Sequence, residues 1–271
     1  MKLGELSVWQ IAKQQGISPR HARRLFARFR GDKQPRLGKP GRPSHPLDVA
    51  EVKLVKKFYK EQPMGATNME TVLSIDGKHI PHNRLHRILK ENGLACTQPN
   101  KSKRRKWIRY ERKHSNSLWH IDYSELERKQ LCAIIDDASR LIVSYGLFDN
   151  ATAENAVKVL NKAVLSYGCP RQLISDHGVQ FTSIARENCP QPEENAFQKR
   201  MKELGIQHIK ARVKHPQTNG KMERWFYTAK FLYKHFGKLA KAIKYYNERR
   251  PHMSLEYGSL RKPMRAFLEK A

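Results

Sequence analysis

An α/β core, a mixed five-stranded sheet flanked by helices, behind an all-α N-terminal region, is the fold class that this 271-residue sequence predicts. Three observations lead there. Apolar residues recur at helical spacing through residues 6–95, and from Leu118 the pattern switches to the two-residue period of strands. The later elements then follow in the order βββαβαβα, so three antiparallel strands acquire parallel neighbours through helical crossovers. A hydrophobic content of 39% supplies a modest core, and the length allows two or three domains.

The charge is large and uneven. There are 53 Lys and Arg against 25 Asp and Glu, a net +28. Residues 1–117 carry 27 basic and 9 acidic side chains, and residues 118–271 carry 26 and 16. Such an excess selects a polyanionic partner, with nucleic acid ahead of anionic membrane. No apolar run approaches the ~18 residues of a membrane span, and no signal peptide opens the chain. Cys96, Cys132, Cys169 and Cys189 are scattered and form no CxxC, which argues against a disulfide framework or a zinc ribbon and fits a reducing cytoplasm. His82 and His86 have a zinc-compatible spacing, but side chains facing solvent or DNA are the better reading.

The N-terminal elements read as two helical units. In LSVWQIAKQQG, Val8, Ile11 and Ala12 share a face and Gly16 ends the helix. ISPRHARRLFARFR follows, with Ser18 as cap and Pro19 in the first turn. Ala22, Leu25, Phe26 and Phe29 form its apolar side; Arg20, Arg23, Arg24 and Arg28 form the other, with His21 beside them. Helix, short glycine turn, basic helix is the helix-turn-helix pattern, and the cations are its candidate DNA contacts. Residues 31–46 are a Gly- and Pro-rich linker; Arg42 in Gly-Arg-Pro suits a minor groove, or the segment is a solvated tether. Residues 48–62 form an amphipathic helix with Val49, Val52, Val55 and Phe58 on one side. TNMETVLSIDG is a second helix, and PHNRLHRILKENGL a third, with Leu85, Ile88 and Leu89 inward and Gly93 as terminator. His82, Asn83, Arg84 and Arg87 lie on its outer N-terminal side, where a recognition helix meets base edges. KSKRRKWIRYERKHS, with Lys103, Arg104 and Arg105, either tracks phosphates or is a charged linker.

In the core, WHIDYSEL sets Trp119, Ile121 and Tyr123 opposite His120, Asp122 and Ser124. LCAIIDD and LIVSYGLF follow at hairpin distances. A helix over NATAENAVKVLNKAVLSYG, the strand RQLISD, the helix AFQKRMKELG and the strand IQHIKA come next. HPQTNGKMERWFYTAKFLYKHF leads into a long helix with Met222, Phe226, Ala229, Tyr233 and Phe236 inward.

Three acids stand out. Asp122 is mid-strand, Asp176 ends a strand, and Glu223 is one turn into the last long helix. In open α/β sheets, ligands collect at the carboxyl ends of parallel strands. The first and fourth core strands, if neighbours, bring the aspartates together, and Glu223 reaches in from the covering helix. Converging carboxylates call for a hard divalent cation, and a pair of ions suits in-line displacement at phosphorus. Taken singly, each acid has a plainer reading: a turn residue for Asp176, a surface helix acid for Glu223, a solvent-facing position for Asp122. Asp136 and Asp137 are competitors, read as turn formers with Ser139 and Arg140. Lys221 and Arg224 flank Glu223 as candidate phosphate contacts, or as solvated helix-end charges.

WHIDYSEL, IIDDASR, LISDHGVQFTS, HPQTNGKMERW and YYNERRPHMSLEYGS, in that order, resemble the retroviral-integrase-like core of insertion-sequence transposases. The resemblance covers residues 115–265 and extends to the double helix-turn-helix before them. It implies an RNase H-like fold with Asp122, Asp176 and Glu223 as the catalytic, metal-binding triad. It also implies Mg2+ or Mn2+ as the metal, transposon-end and target double-stranded DNA as substrates, and a homo-oligomer on DNA. The expected chemistry is cleavage that frees a 3′-hydroxyl, then attack of that hydroxyl on target DNA, without a covalent enzyme intermediate. Two features depart from the pattern. Forty-six residues separate Asp176 from Glu223, more than is usual, with the excess placed in residues 186–197. The zinc-binding module of retroviral integrases is absent.

The expected organisation is a helix-turn-helix unit and linker (1–43), a second unit (44–99), a basic linker (100–114), the catalytic core (115–250) and a C-terminal tail (251–271). The rival functions are a DNA-binding regulator with an inactive core, and a ribonuclease acting on RNA–DNA hybrids.

Overall fold

The computed structural model describes residues 2–3, 6–31, 46–95, 111–183, 193–211, 220–255 and 260–271. The chain divides into two compact units, Met1–Pro46 and Leu47–Ala271.

The first unit opens with a short antiparallel pair, β1 (Lys2–Leu3) and β2 (Leu6–Ser7), not expected from the sequence. Helices α1 (Val8–Gln14) and α2 (Pro19–Arg28) follow. Ser7 closes a reciprocal capping box with Gln10, and the Ser18 hydroxyl accepts from the His21 amide, so each helix starts where its cap chemistry dictates. Gly16 turns the chain between them at φ +61°. Val8, Ala12 and Ala22 form the small core, while Arg20, Arg23, Arg24 and Arg28 are exposed. His21 is half-buried, and its Nδ1 accepts from the Arg24 guanidinium at 3.1 Å.

The second unit begins with three helices, α3 (Val49–Glu61), α4 (Ala66–Ile75) and α5 (His82–Glu91). Val55, Met69, Leu73, Leu85, Ile88 and Leu89 build their core. Val49, read as part of the apolar face, is 67% exposed. It is the first residue of its helix, beyond the reach of the facing helices, and Tyr59 is buried instead. These helices rest on the C-terminal part of the core. The Arg250 guanidinium donates to the Pro63 carbonyl at 2.9 Å, and the rings of Tyr59 and His235 meet edge to face at 5.7 Å.

The core sheet runs in the order β5-β4-β3-β6-β7. Its strands are β3 (Trp119–Leu126), β4 (Lys129–Asp136), β5 (Ile142–Phe148), β6 (Gln172–Ser175) and β7 (Gln207–Lys210). The first three pair antiparallel; β6 and β7 add in parallel on the other side of β3. This is the RNase H-like mixed sheet. Alternation assigns the two faces. Trp119, Ile121, Cys132 and Ile134 pack with α6 (Ala153–Tyr167) and α7 (Ala196–Glu203). Leu131, Ala133 and Ile135 pack with α8 (Gly220–Phe236) and α9 (Leu239–Glu248) through Met222, Trp225, Phe226 and Tyr246. Residues 251–271, expected as a tail, hold α10 (Pro263–Glu269), whose Phe267 is buried in the first of these cores. The Ser115 amide donates to the Lys270 carbonyl at 2.8 Å, tying both ends of the core together.

Candidate active site

Strand register brings the two aspartates side by side. Trp119 pairs with Leu173 and His120 with Ile174 on the parallel neighbour. Two residues further along each strand stand Asp122 and Asp176. By alternation both face the side covered by α8. Asp122 lies mid-strand because β3 continues to pair with β4 there, opposite Ala133. Asp176 follows the last residue of β6, at the carboxyl end of a parallel strand.

The Asp176 turn is held from several directions. Its Oδ1 accepts from the Gly178 amide at 2.9 Å, an Asx turn that aims the carboxylate. The neighbouring Ser175 hydroxyl donates to the Asp176 carbonyl and accepts from His208 Nε2 at 2.8 Å. Burial lowers the His208 pKa, and a neutral ring carrying its proton on Nε2 satisfies that bond. The His177 ring nitrogen donates to the Ala211 carbonyl at 2.6 Å, fixing the turn to the end of β7.

Glu223 sits in the first turn of α8 and is exposed. Its carboxylate there is favoured by the helix dipole. Gly220, Glu223, Arg224 and Tyr227 line an open cleft of about 390 Å³. Tyr227, 61% exposed and one turn beyond Glu223, is a lining residue that sequence reasoning missed; its helical spacing from Glu223 was the available signal. A larger cleft of about 580 Å³ lies at the opposite end of β6, beside Arg171 and Gln172, and none of the three acids lines it.

The electrostatics connect the three acids. Burial raises the Asp122 carboxyl to about 7, the Tyr123 amide at 2.7 Å opposes that rise, and the charges of Asp176 and Glu223 add to it. Among the described residues, no ion pair involves any of the three. The donor set suits a hard divalent cation: three carboxylate groups without a protein cation to neutralise them. Among the described residues, no three side chains of His, Cys, Asp or Glu are close enough to hold a metal ion as they stand.

Lys221, read as a phosphate contact or a solvated helix-end charge, pairs its ammonium with the buried carboxylate of Asp137. Asp136 and Ser139 do form the expected turn: Asp136 Oδ2 accepts from the Ser139 amide and hydroxyl at 2.8 and 2.6 Å. Asp137 is more than a turn residue, since its carboxylate also accepts from His120 Nε2 at 2.7 Å and the Arg112 amide at 2.8 Å. Its burial works against ionisation, but the His120 hydrogen bond and the Lys221 charge hold it well below the usual carboxylate range.

The expected recognition side chains on α5 are largely engaged within the protein. His82 contacts Glu70 at 3.0 Å, Arg84 pairs with Glu51 at 2.7 Å, and Arg87 with Glu91 at 2.8 Å. Asn83 is exposed, as is Arg224 on α8. Arg42, Lys103, Arg104, Arg105 and most of the 186–197 insertion lie outside the described residues.

Two integrase core domain models match the chain, over residues 112–216 and 204–259. The chain belongs to the integrase core family. Among its relatives is an insertion element IS407 uncharacterized 31.7 kDa protein of Burkholderia multivorans, 25% identical, spanning 91% of this chain and 90% of that one. An insertion element IS476 uncharacterized 39.2 kDa protein of Xanthomonas euvesicatoria is 24% identical over 78% of this chain and 63% of the relative. Among solved structures, the catalytic core domain of BIV integrase is similar at TM-score 0.45 and 20% identity, covering 57% of this chain and 95% of that one. A chain of a simian T-cell lymphotropic virus intasome in complex with PP2A regulatory subunit B56 gamma is similar at TM-score 0.49 and 19% identity, covering 79% of this chain and 74% of that one. The family is one of polynucleotidyl transferases serving DNA integration and transposition. No helix among the described residues of this integrase-core protein is long and apolar enough to cross a membrane.

Proposed function

We propose that this chain is an insertion-sequence transposase that binds transposon ends and carries out metal-dependent 3′-end cleavage and strand transfer. One observation carries the reading: register sets Asp122 beside Asp176, and the charges of both Asp176 and Glu223 act on Asp122. Asp122, Asp176 and Glu223 would hold Mg2+ or Mn2+, two ions on this reading. When bound, such cations supply activation of the attacking oxygen and neutralisation of charge at phosphorus.

The chain's own residues do the rest. The Asp176 carboxylate is aimed by the Gly178 amide, so its direction is set before substrate arrives. Tyr227 and Arg224 border the cleft beside Glu223, where DNA would lie. The exposed arginines of α2 and the Asn83 side of α5 would bind the ends, with phosphate contacts supplying affinity and base contacts supplying choice. Two ends must be held together, so several copies assemble on the DNA.

The test is joining of a labelled end oligonucleotide to plasmid in Mg2+. Asp176→Asn keeps an oxygen for the Gly178 amide, and it is expected to lower joining by at least about a thousandfold while end binding persists. Undiminished joining by that variant rejects the triad.

A further inference from the structure

We propose that Asp137 is a positioning residue of this site: one buried carboxylate linking the strand that carries Asp122 to the helix that carries Glu223. The inference rests on the transposase reading of the three acids and adds a part to it.

Asp137 is 0% exposed and uses every polar atom it has. Its amide donates to the Leu118 carbonyl at 2.9 Å, joining it to the start of β3. Its carbonyl accepts from Arg140 Nη1. Oδ2 accepts from the Arg112 amide. Oδ1 accepts from both His120 and Lys221. His120 is two residues before Asp122 on β3, and Lys221 is two residues before Glu223 on α8. The same oxygen therefore touches one neighbour of each flanking ligand.

The geometry makes this link directional. Two residues along a helix amount to about 200° of rotation. Drawing Lys221 onto Asp137 therefore sets the rotation of the first turn of α8, and with it the direction in which Glu223 leaves the helix. An ammonium so near a helix N-terminus is disfavoured by the dipole, so Lys221 needs a fixed acid partner to stay inward. On the strand side, His120 is buried and keeps its Nδ1 without a hydrogen-bond partner among the described residues. A buried orphan nitrogen costs stability, and well-packed apolar residues of similar volume would match or exceed a buried charged group. Stability alone does not account for the cluster, whereas placement of Asp122 and Glu223 does. Misplacing a reacting constellation by about 1 Å costs up to about a hundredfold in rate.

The test uses the full chain, a labelled end oligonucleotide, and Mn2+ uptake followed by electron paramagnetic resonance. Asp137→Asn preserves shape and removes the charge. It is expected to slow single-turnover joining by at least tenfold and weaken Mn2+ uptake, with end-DNA affinity within twofold of wild type. Lys221→Met leaves Asp137 charged and short of a partner, so it is expected to lose both stability and joining. The double variant Asp137→Asn with Lys221→Met has no stranded charge. It is expected to recover the stability and to join no more slowly than Asp137→Asn alone, the non-additivity of one shared link. Wild-type joining rate and Mn2+ uptake in a folded Asp137→Asn chain overturn the inference, as do simply additive losses in the double variant. If Asp137→Asn does not fold, the double variant decides: wild-type joining by it overturns the inference. If wild-type protein takes up no Mn2+, or Asp176→Asn joins normally, the triad itself is wrong, and this inference falls with it.

Discussion

His120 and Ile174 are paired across parallel strands, and that single register places Asp122 and Asp176 next to one another at one end of the sheet. The pairing is made by apolar neighbours, Trp119 and Leu173, buried in the same core. A one-residue slip would send one of the two aspartates to the opposite face. The acidic pair is thus held by hydrophobic packing rather than by any attraction between its members.

That packing has a consequence for stability without metal. The Asp122 carboxyl is raised to about 7 in the folded chain, against about 4 when unfolded. Between these values the folded state holds a proton that the unfolded state has released, so stability falls as pH rises through this window and levels off above it. In chelator, lowering the pH from 8 to 6 is expected to raise the wild-type unfolding free energy relative to Asp122→Asn, by no more than about 1.4 kcal/mol per pH unit below 7, and the melting temperature with it. Added Mg2+ should stabilise wild type more at pH 8 than at pH 6. Thermal unfolding of the two proteins at each pH checks both outcomes. Identical pH profiles would remove Asp122 from the account.

The contact between Arg250 and the Pro63 carbonyl joins the three N-terminal helices of the second unit to its sheet-bearing part. Burial lowers the guanidinium pKa, while the neighbouring Tyr245 and Tyr246 oppose that shift. Arg250→Met keeps much of the packing and removes the bond. It is expected to cost about 1.5–3 kcal/mol, the range for a hydrogen bond to a charged group. Hydrogen exchange should show the loss in α3–α5 as well as in α9; a change confined to α9 would mean that the contact does not couple them.

Glu51 on α3 pairs with Arg84 on α5. Glu51→Gln should release that cation toward DNA. The expected result is tighter binding at low salt, with a log–log salt slope steeper by about 0.9, one additional phosphate contact. Asn83→Ala should instead weaken binding to the specific end by about 1–3 kcal/mol and leave the slope unchanged. Fluorescence anisotropy across a salt series separates the two. An unchanged slope in Glu51→Gln would place Arg84 away from the phosphates.

Much of this was legible in the residues themselves. Alternation in WHIDYSEL assigned Trp119 and Ile121 to one face and Asp122 to the other, because a strand has a strict two-residue period. Ser18, Pro19, Gly16 and Gly93 marked helix ends through local cap and turn chemistry. The order of strands and helices allowed the first and fourth core strands to be neighbours, which would set Asp122 beside Asp176, but did not require it. All of these signals act over a few residues or follow from connectivity.

Only the tertiary structure decided the rest. That Phe267 completes a core begun at Trp119, that Val49 is left in solvent, and that Arg84 meets Glu51 depends on which surfaces happen to face each other. Lys221 was legible as a cation near Glu223, but its direction was not, because its partner Asp137 lies 84 residues earlier in the chain. Local sequence sets which groups a segment offers and on which side. Which distant group answers each offer is determined by how the whole sheet and its helices pack, and a buried ion pair acquires its role only there.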